Sequence, residues 1–204
     1  MKYVVFDFDG TLADSLPLVI NIAEEVLGVK ITDKEIEHYR NLTARQVLKI
    51  AKIPLWRVPS LLVKGRPIMS KRLHEVKIFE GLADVIKDLN ANGHSLYVVS
   101  SNSAGIINGF LAQQGIKQYF TSIYGNVGLF SKAQAIKKVM KREGFTLKNA
   151  IYIGDEVRDI EAATKINMPI ISVTWGYNGE KILASYKPTY LVRKPKEISK
   201  IVNG

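Results

Sequence analysis

Short apolar runs that alternate with helical patterns constrain the fold of this chain more than any other feature. β-Branched and aromatic residues fill four clear runs and two weaker ones, at 2–8, 95–99, 150–153 and 169–173, and at 119–124 and 190–192. Apolar residues recur at helical spacing in the segments between and after them, at 82–90, 106–111, 136–140 and 195–202. Strands that alternate with helices over short links predict right-handed βαβ units. We therefore expect an α/β fold: a Rossmann-like parallel β-sheet core with helices on both faces.

The stretch from 15 to 78 interrupts this alternation. It contains helical patterns without a convincing strand, and Pro67 predicts a break in the last of these helices. We expect a small inserted α-helical cap domain at 15–78, and an α/β core domain formed by 1–14 and 79–204. The alternative is that these helices simply cover the sheet.

Composition limits the chemistry that such a fold can carry. The chain has 204 residues without cysteine, which excludes disulfides, thiol nucleophiles and Cys-ligated metal sites. Its three histidines lie in unrelated contexts, so a multi-His metal site is not expected. No apolar run reaches the roughly 18 residues that span a bilayer, and the N-terminus does not resemble a signal peptide. We expect a cytoplasmic protein with no membrane partner.

Acidic residues follow two of the predicted strands. Asp7 and Asp9 end the first strand, while Asp155, Glu156 and Asp159 follow the run at 150–153. Residues two apart on a strand point the same way, and ligands bind at the carboxyl edge of parallel sheets. Carboxylates that converge there repel one another unless a cation or a proton compensates. An acid-rich site of oxygen ligands favours Mg²⁺ over zinc.

Hydroxyl and cationic groups are predicted at the same edge. Ser100, Ser101 and Asn102 follow a strand and precede a helix, an arrangement that favours anion binding. Lys132 lies in the first turn of a helix, where a cation opposes the helix dipole and needs an anionic partner. Together these groups suit phosphoryl transfer, in which Mg²⁺ and lysine neutralise phosphate oxygens and a carboxylate attacks phosphorus. Singly, the serines could be helix caps and Lys132 a solvated surface residue.

The order of these groups resembles the haloacid dehalogenase-like hydrolase superfamily. DFDGTLADS, VVSSNS, Lys132 and GDEVRD resemble its four motifs in order, and VTWGY resembles a segment of its phosphoglycolate phosphatase-like branch. The resemblance covers about 1–14 and 79–202, and the helical insert lies where that branch carries its cap. It implies a Mg²⁺-dependent phosphatase that acts on a small phosphomonoester, with phosphoglycolate as the expected type.

The resemblance also implies roles for the catalytic and substrate-binding residues. Asp7 would attack the phosphate and form an aspartyl-phosphate, and Asp9 would protonate the leaving alcohol and then activate water. Ser100 would donate a hydrogen bond to the phosphate, with Ser101 beside it as a further substrate contact. Lys132 would neutralise the phosphate and orient Asp7.

The metal ligands are implied in the same way. Mg²⁺ would be held by the Asp7 carboxylate, the Asp9 backbone carbonyl and the Asp155 carboxylate, with Asp159 among these ligands or just behind them. Glu156 stands where many relatives have a small residue, so it could add a ligand or alter the surroundings of the metal.

Several alternatives remain open on the sequence. A sugar phosphomutase uses the same two acids as a phosphatase. The net charge of +10 is compatible with a non-catalytic or nucleic-acid-associated protein, or simply with a lysine-rich surface. The intact set of site residues makes nucleic acid the less favoured partner. On the insert, Arg45 is either a substrate contact or a solvated helix residue. Both a monomer and a homodimer are compatible with the sequence.

Overall fold

The strands form a single parallel sheet in the computed structural model, which describes residues 2–128 and 131–204. They are β1 (Tyr3–Phe6), β2 (Ser95–Val99), β3 (Phe120–Tyr124), β4 (Ala150–Gly154), β5 (Ile170–Val173) and β6 (Tyr190–Val192). Their order across the sheet is β3-β2-β1-β4-β5-β6, and every pairing is parallel. The predicted α/β class with a Rossmann-like sheet is confirmed.

Helices connect these strands. They are α1 (Leu16–Leu27), α2 (Asp33–Arg40), α3 (Ala44–Ile50), α4 (Val58–Lys71), α5 (Leu82–Ala91), α6 (Ala104–Gln113), α7 (Lys132–Glu143), α8 (Val157–Lys165), α9 (Glu180–Ser185) and α10 (Lys196–Asn203). Within the described ranges, none of these helices is long and apolar enough to cross a membrane.

The alternation of side chains along β1 explains the layers of the core. Val4 and Phe6 point into one apolar cluster with residues of α5, α6 and α10. Val5 points to the opposite face, where it packs with residues of α7 and α8. Because successive strand residues face opposite sides, a short apolar strand supplies both layers at once. The prediction of helices on both faces is confirmed.

The register of the central strands determines which residues meet at the carboxyl edge. Phe6, the last residue of β1, pairs with Val98 on β2 and with Ile153 on β4. The three strands therefore end at nearly the same level. The chain order also reverses between β1 and β4, and such switch points leave a crevice in which α/β folds bind ligands.

The helix around Pro67 differs from the prediction. The expected break is absent, because α4 runs continuously from Val58 to Lys71 through Pro67. Proline removes one backbone hydrogen bond and crowds the carbonyl four residues earlier. That residue, Val63, is 64% exposed, so its carbonyl can tilt towards water without breaking the helix.

The segment that contains α1–α4 contacts the sheet domain at the corner between α2 and α3. The Asn178 amide group donates hydrogen bonds to the backbone carbonyls of Arg40 (3.2 Å) and Leu42 (2.9 Å). The Gly179 N–H donates to the Arg40 carbonyl at 2.8 Å, and the Arg40 guanidinium donates to the Thr174 carbonyl at 3.3 Å. The loop after β5 thus holds the corner through the side chains of Asn178 and Arg40 and one backbone hydrogen bond from Gly179.

Candidate active site

Lys132 forms the centre of the site. Its side chain is 4% exposed, and its Nζ donates hydrogen bonds to Asp7 Oδ2 at 2.7 Å and to Asp159 Oδ1. Burial lowers the pKa of this amine, but the charges of Asp159 and Asp7 outweigh that effect and raise the pKa above its ordinary value. The lysine therefore remains charged between two carboxylates. It is not the solvated surface residue that its sequence position alone would permit.

Asp7 follows β1 and is buried beneath the edge of the sheet. Burial raises its pKa to about 6, the Lys132 charge lowers it, and Asp159 raises it again. At neutral pH this carboxyl group is therefore ionised in most molecules, even without a bound cation. An ionised carboxylate held by a fixed ammonium group is a suitable nucleophile.

Asp9 has different neighbours from Asp7. Its Oδ1 accepts a hydrogen bond from Ser15 Oγ at 2.8 Å, and its Oδ2 accepts one from Asn102 Nδ2 at 3.0 Å. The Ser15 hydroxyl also lies 2.9 Å from the Tyr177 hydroxyl. Burial raises the pKa of Asp9, although the hydrogen bond from Ser15 opposes this. A carboxyl group whose pKa is raised is suited to donate a proton.

Three carboxylates could hold a metal ion. Asp7, Asp155 and Asp159 each offer an oxygen, and these oxygens lie within 4.8 Å of one another. Burial raises the pKa of Asp155 well above its ordinary value, and the nearby charges of Glu156, Asp159 and Asp7 raise it further. A cation would relieve this repulsion, and carboxylate oxygens are the ligands of hard divalent ions. The donor set therefore fits a divalent metal.

Backbone and hydroxyl groups orient Asp155 within this cluster. Thr11 Oγ1 donates to Asp155 Oδ1 and the Tyr177 N–H donates to Oδ2, both at 2.7 Å. The chain approaches so closely that a Cβ atom built on Gly10 would lie 2.1 Å from Asp155 Oδ2, and one on Gly176 would lie 2.3 Å from it. Glycine at these two positions is what allows the carboxylate to be enclosed.

Asp159 is more fully occupied by protein donors. Besides Lys132, the Tyr152 hydroxyl donates to its Oδ1 at 3.3 Å, and the Glu156 N–H donates to its Oδ2 at 3.0 Å. These contacts favour a role in holding Lys132, which agrees with the expected place of Asp159 just behind the metal ligands. That assignment stays a prediction.

Glu156 pairs with an arginine that the sequence analysis did not single out. Arg158 Nε donates to Glu156 Oε1 at 2.9 Å, and Arg158 Nη2 donates to the same oxygen. Glu156 therefore binds a guanidinium group on the adjoining helical turn.

The serines after β2 occupy the same edge in different ways. Ser100 is buried, and its Oγ accepts a hydrogen bond from the Asn102 N–H at 3.1 Å. Ser101 is half-buried beside it. The residue that caps the following helix is Ser103, whose side chain accepts from the Ile106 N–H at 3.2 Å. Because Ser103 caps the helix, the Asn102 side-chain amide is available to donate a hydrogen bond to Asp9.

The structure brings Arg45 to the same region from the helical insert. Arg45 is exposed on α3 and lines a cleft of about 150 Å³ together with Lys132 on α7 and Arg158 on α8. Helix α3 therefore shares a surface with α7 and α8, the helices that carry Lys132 and Arg158.

Some residues of this site carried little or no sequence signal. Ser15 and Asn102 lie inside the two motif segments, and their contacts with Asp9 depend on how the loops turn. Arg158 lies between two acids of the fourth motif, and nothing in the local pattern indicates which way its side chain points. Tyr177 lies in the loop after β5, and its contacts with Ser15 and Asp155 depend on how that loop folds over the site.

Comparison with known proteins gives this geometry a family. The family model described as haloacid dehalogenase-like hydrolase matches residues 4–173. The chain belongs to the haloacid dehalogenase-like hydrolases. The predicted superfamily and the prediction of a phosphatase-type enzyme are confirmed.

Relatives of this hydrolase extend over nearly its whole length. It is 31% identical to a phosphoglycolate phosphatase of Synechococcus elongatus over 99% of this chain and 97% of that protein. It is 25% identical to the pyrophosphatase PpaX of Listeria welshimeri over 98% of this chain and 95% of that protein. Among solved structures, a predicted phosphatase from Clostridium acetobutylicum is 23% identical and superposes with a TM-score of 0.85, over 99% of this chain and 98% of that one. The last likeness concerns the fold.

Proposed function

We propose that this hydrolase is a Mg²⁺-dependent phosphatase that hydrolyses a small phosphomonoester of the phosphoglycolate type through an aspartyl-phosphate. The observation that supports the proposal most directly is the buried Lys132, which bridges Asp7 and Asp159 beside the Asp155 carboxylate. A fixed cation and a metal-binding cluster on either side of one carboxylate are what phosphoryl transfer requires.

The first half of the reaction uses Asp7 and Asp9 in opposite roles. A carboxylate oxygen of Asp7 forms a bond to phosphorus while the bond from phosphorus to the ester oxygen breaks. Asp9 donates its proton to the leaving alkoxide, so the alcohol departs neutral. In the second half Asp9 accepts a proton from water, the water oxygen attacks phosphorus, and the bond to Asp7 breaks to release inorganic phosphate. The raised pKa of Asp9 suits the first step.

The other residues stabilise charge during these steps. Lys132 neutralises phosphate oxygens and keeps Asp7 oriented, and Ser100 donates a hydrogen bond to the transferring group with Ser101 nearby. Mg²⁺ would be held by the carboxylates of Asp7 and Asp155 and by the backbone carbonyl of Asp9. When bound, it supplies positive charge that stabilises the phosphate oxygens in the transition state.

The helical segment completes the proposal. We assign 15–78 to a cap domain, and 1–14 with 79–204 to the core, and we place Arg45 among the groups that contact the organic part of the substrate. Closure of such a cap excludes water from the reaction and selects the substrate.

Phosphate release tests this function. The purified protein is assayed on a panel of phosphomonoesters, including 2-phosphoglycolate, with Mg²⁺ or with EDTA, alongside Asp7→Asn. We expect turnover that requires Mg²⁺ and is lost in Asp7→Asn, while the thermal unfolding of the variant remains cooperative. Turnover that survives Asp7→Asn would contradict the aspartyl-phosphate route.

A product assay separates the phosphatase from a sugar phosphomutase. Glucose 1-phosphate is incubated with the enzyme and a sugar bisphosphate, and both inorganic phosphate and isomerised sugar phosphate are measured. We expect phosphate release without isomerisation. Isomerisation without net release would favour the mutase.

A further inference from the structure

The cleft beside Lys132 carries more positive charge than the proposed reaction uses. Side chains of α3, α7 and α8 line it, and its charged members are four cations and one carboxylate: Arg45, Lys132, Arg158, Lys165 and Glu161. Lys132 is paired with two buried carboxylates. Arg158 and Lys165 are not used by the proposed reaction, and they share the cleft with Lys132, which donates to the proposed nucleophile Asp7 at 2.7 Å.

Arg158 is the most buried of the remaining cations. Its side chain is only 16% exposed, and Glu156 binds it through Nε and Nη2. The Nη1 edge of the guanidinium makes no hydrogen bond to any residue within 2–128 and 131–204. A guanidinium held in place loses little conformational entropy when it binds an anion through its other edge.

The position of Arg158 relative to the reaction carboxylates supports the same view. Arg158 lines the same cleft as Lys132, and Lys132 Nζ donates to Asp7 Oδ2 at 2.7 Å. Only one side chain therefore separates the guanidinium from the carboxylate that would attack the ester. Lys165 lies two helical turns further along α8, at the exposed side of the cleft.

We propose that this cleft binds a second anionic group of the substrate, with Arg158 as its fixed donor and Lys165 and Arg45 at its rim. The enzyme would then select small phosphate esters or anhydrides whose remote end is itself a carboxylate or a phosphate. Arginine binds both groups with paired, charge-assisted hydrogen bonds. The inference rests on the proposed function, because it assigns the end of the substrate remote from the phosphorus that Asp7 attacks.

A pair of substrates that differ only at the remote end gives the test. The remote end of 2-phosphoglycolate is a carboxylate, while that of 2-hydroxyethyl phosphate is a neutral hydroxymethyl group, and pyrophosphate tests a phosphate in the same place. We expect the wild type to prefer at least one of the two compounds with two anionic groups to 2-hydroxyethyl phosphate, whose remote end is neutral. In Arg158→Gln, kcat/KM for that compound should fall about 10- to 100-fold, mainly through KM, while the neutral ester changes by less than about threefold.

The control is an arginine with a similar partner outside the cleft. Arg72 donates to Glu75 through Nε and Nη2, both at 2.8 Å, on an exposed surface. Arg72→Gln should leave both substrates within about twofold of the wild type. Because Arg158→Gln leaves Glu156 without its cation, Arg158→Gln/Glu156→Gln and the exposed Lys165→Gln are measured as well. Lys165→Gln should give a smaller loss in the same direction.

Binding is measured separately from turnover. Titration calorimetry on Asp7→Asn should show tighter binding of the doubly anionic compound than of 2-hydroxyethyl phosphate, and Arg158→Gln in that background should remove the preference.

Equal losses of activity on both esters in Arg158→Gln would overturn the inference. So would a wild type and an Asp7→Asn variant that show no preference between the two esters. If the wild type releases phosphate from no compound, the proposed function fails, and the calorimetric preference alone decides whether the cleft binds anions. A comparison of activity and binding between 2-phosphoglycolate and pyrophosphate shows whether the cleft prefers a carboxylate or a phosphate.

Discussion

At the scale of single residues, the burial of Lys132 has the largest consequences. Removal of one partner from a buried ion pair leaves an uncompensated charge, so Lys132→Met should destabilise the fold by about 3–5 kcal/mol. It should also lower kcat at least 100-fold, on the order of the loss when a transition-state donor is removed. Chemical denaturation and phosphate release measure the two effects.

The control for this prediction lies on the same helix. Lys137 is exposed on α7, so Lys137→Met should leave both stability and turnover close to those of the wild type. Lys132→Met/Asp159→Asn removes one of the two stranded carboxylates and should recover part of the stability without recovering activity. Unchanged turnover in Lys132→Met would show that the lysine only fills a structural position.

The raised pKa of Asp155 contributes, together with those of Asp7 and Asp9, to the way in which the stability of the metal-free protein depends on pH. Folding raises this pKa well above its ordinary value of 3.8, so the folded state binds a proton more tightly than the unfolded state does. The free energy of unfolding in EDTA should therefore fall as pH rises above about 4, by up to about 1.4 kcal/mol per pH unit for one proton. Asp155→Asn should flatten this slope and should abolish stabilisation by Mg²⁺.

Thermal unfolding between pH 4 and 8, in EDTA and in Mg²⁺, tests the Asp155 prediction. Asp84→Asn changes a carboxylate whose side chain is 84% exposed, and its slope should match that of the wild type. A slope in Asp155→Asn equal to that of the wild type would contradict the assignment of this effect to Asp155.

At the scale of elements, the turn after β1 determines whether Asp155 can be enclosed. Gly10 has a φ of +76°, and a Cβ there would meet Asp155 Oδ2 at 2.1 Å; Gly81 has a φ of +78°, and a Cβ there would meet nothing within 4 Å. Gly81→Ala therefore measures backbone strain alone, about 1–2 kcal/mol. Gly10→Ala should cost more than this and should weaken Mg²⁺-dependent stabilisation. Equal losses in the two variants would show that crowding at Asp155 is unimportant.

The same scale shows what the sequence could and could not predict. All six strands were expected near their observed positions. The four inner strands are buried on both faces, and such a strand is a short apolar run with few other interpretations. The edge strands β3 and β6 are less buried, and their runs are the weaker ones. Helix α8 was not predicted, since its first turn coincides with the acids that follow the run at 150–153. The continuity of α4 at Pro67 was missed because it depends on the exposure of Val63. The side-chain directions of Arg158 and Asn102 depend on partners that the fold brings near.

At the scale of the whole molecule, the net charge of +10 is compatible with attraction of small anions, with binding to nucleic acid, or simply with a lysine-rich surface. If it attracts small anions, the KM for a doubly anionic substrate should rise several-fold between about 0.02 and 0.3 M salt, because screening lengths fall below 10 Å in this range. kcat should stay constant, since the bound substrate is shielded from solvent ions. A sulfate-free salt such as potassium acetate avoids competition by phosphate-like anions, and the KM for 2-hydroxyethyl phosphate should respond less than that for 2-phosphoglycolate because the former carries less charge.

A nucleic-acid-binding surface would instead shift a DNA or RNA probe at low salt, with an affinity that falls steeply as salt is added. A salt-independent KM together with such a shift would reverse the assignment of the charge.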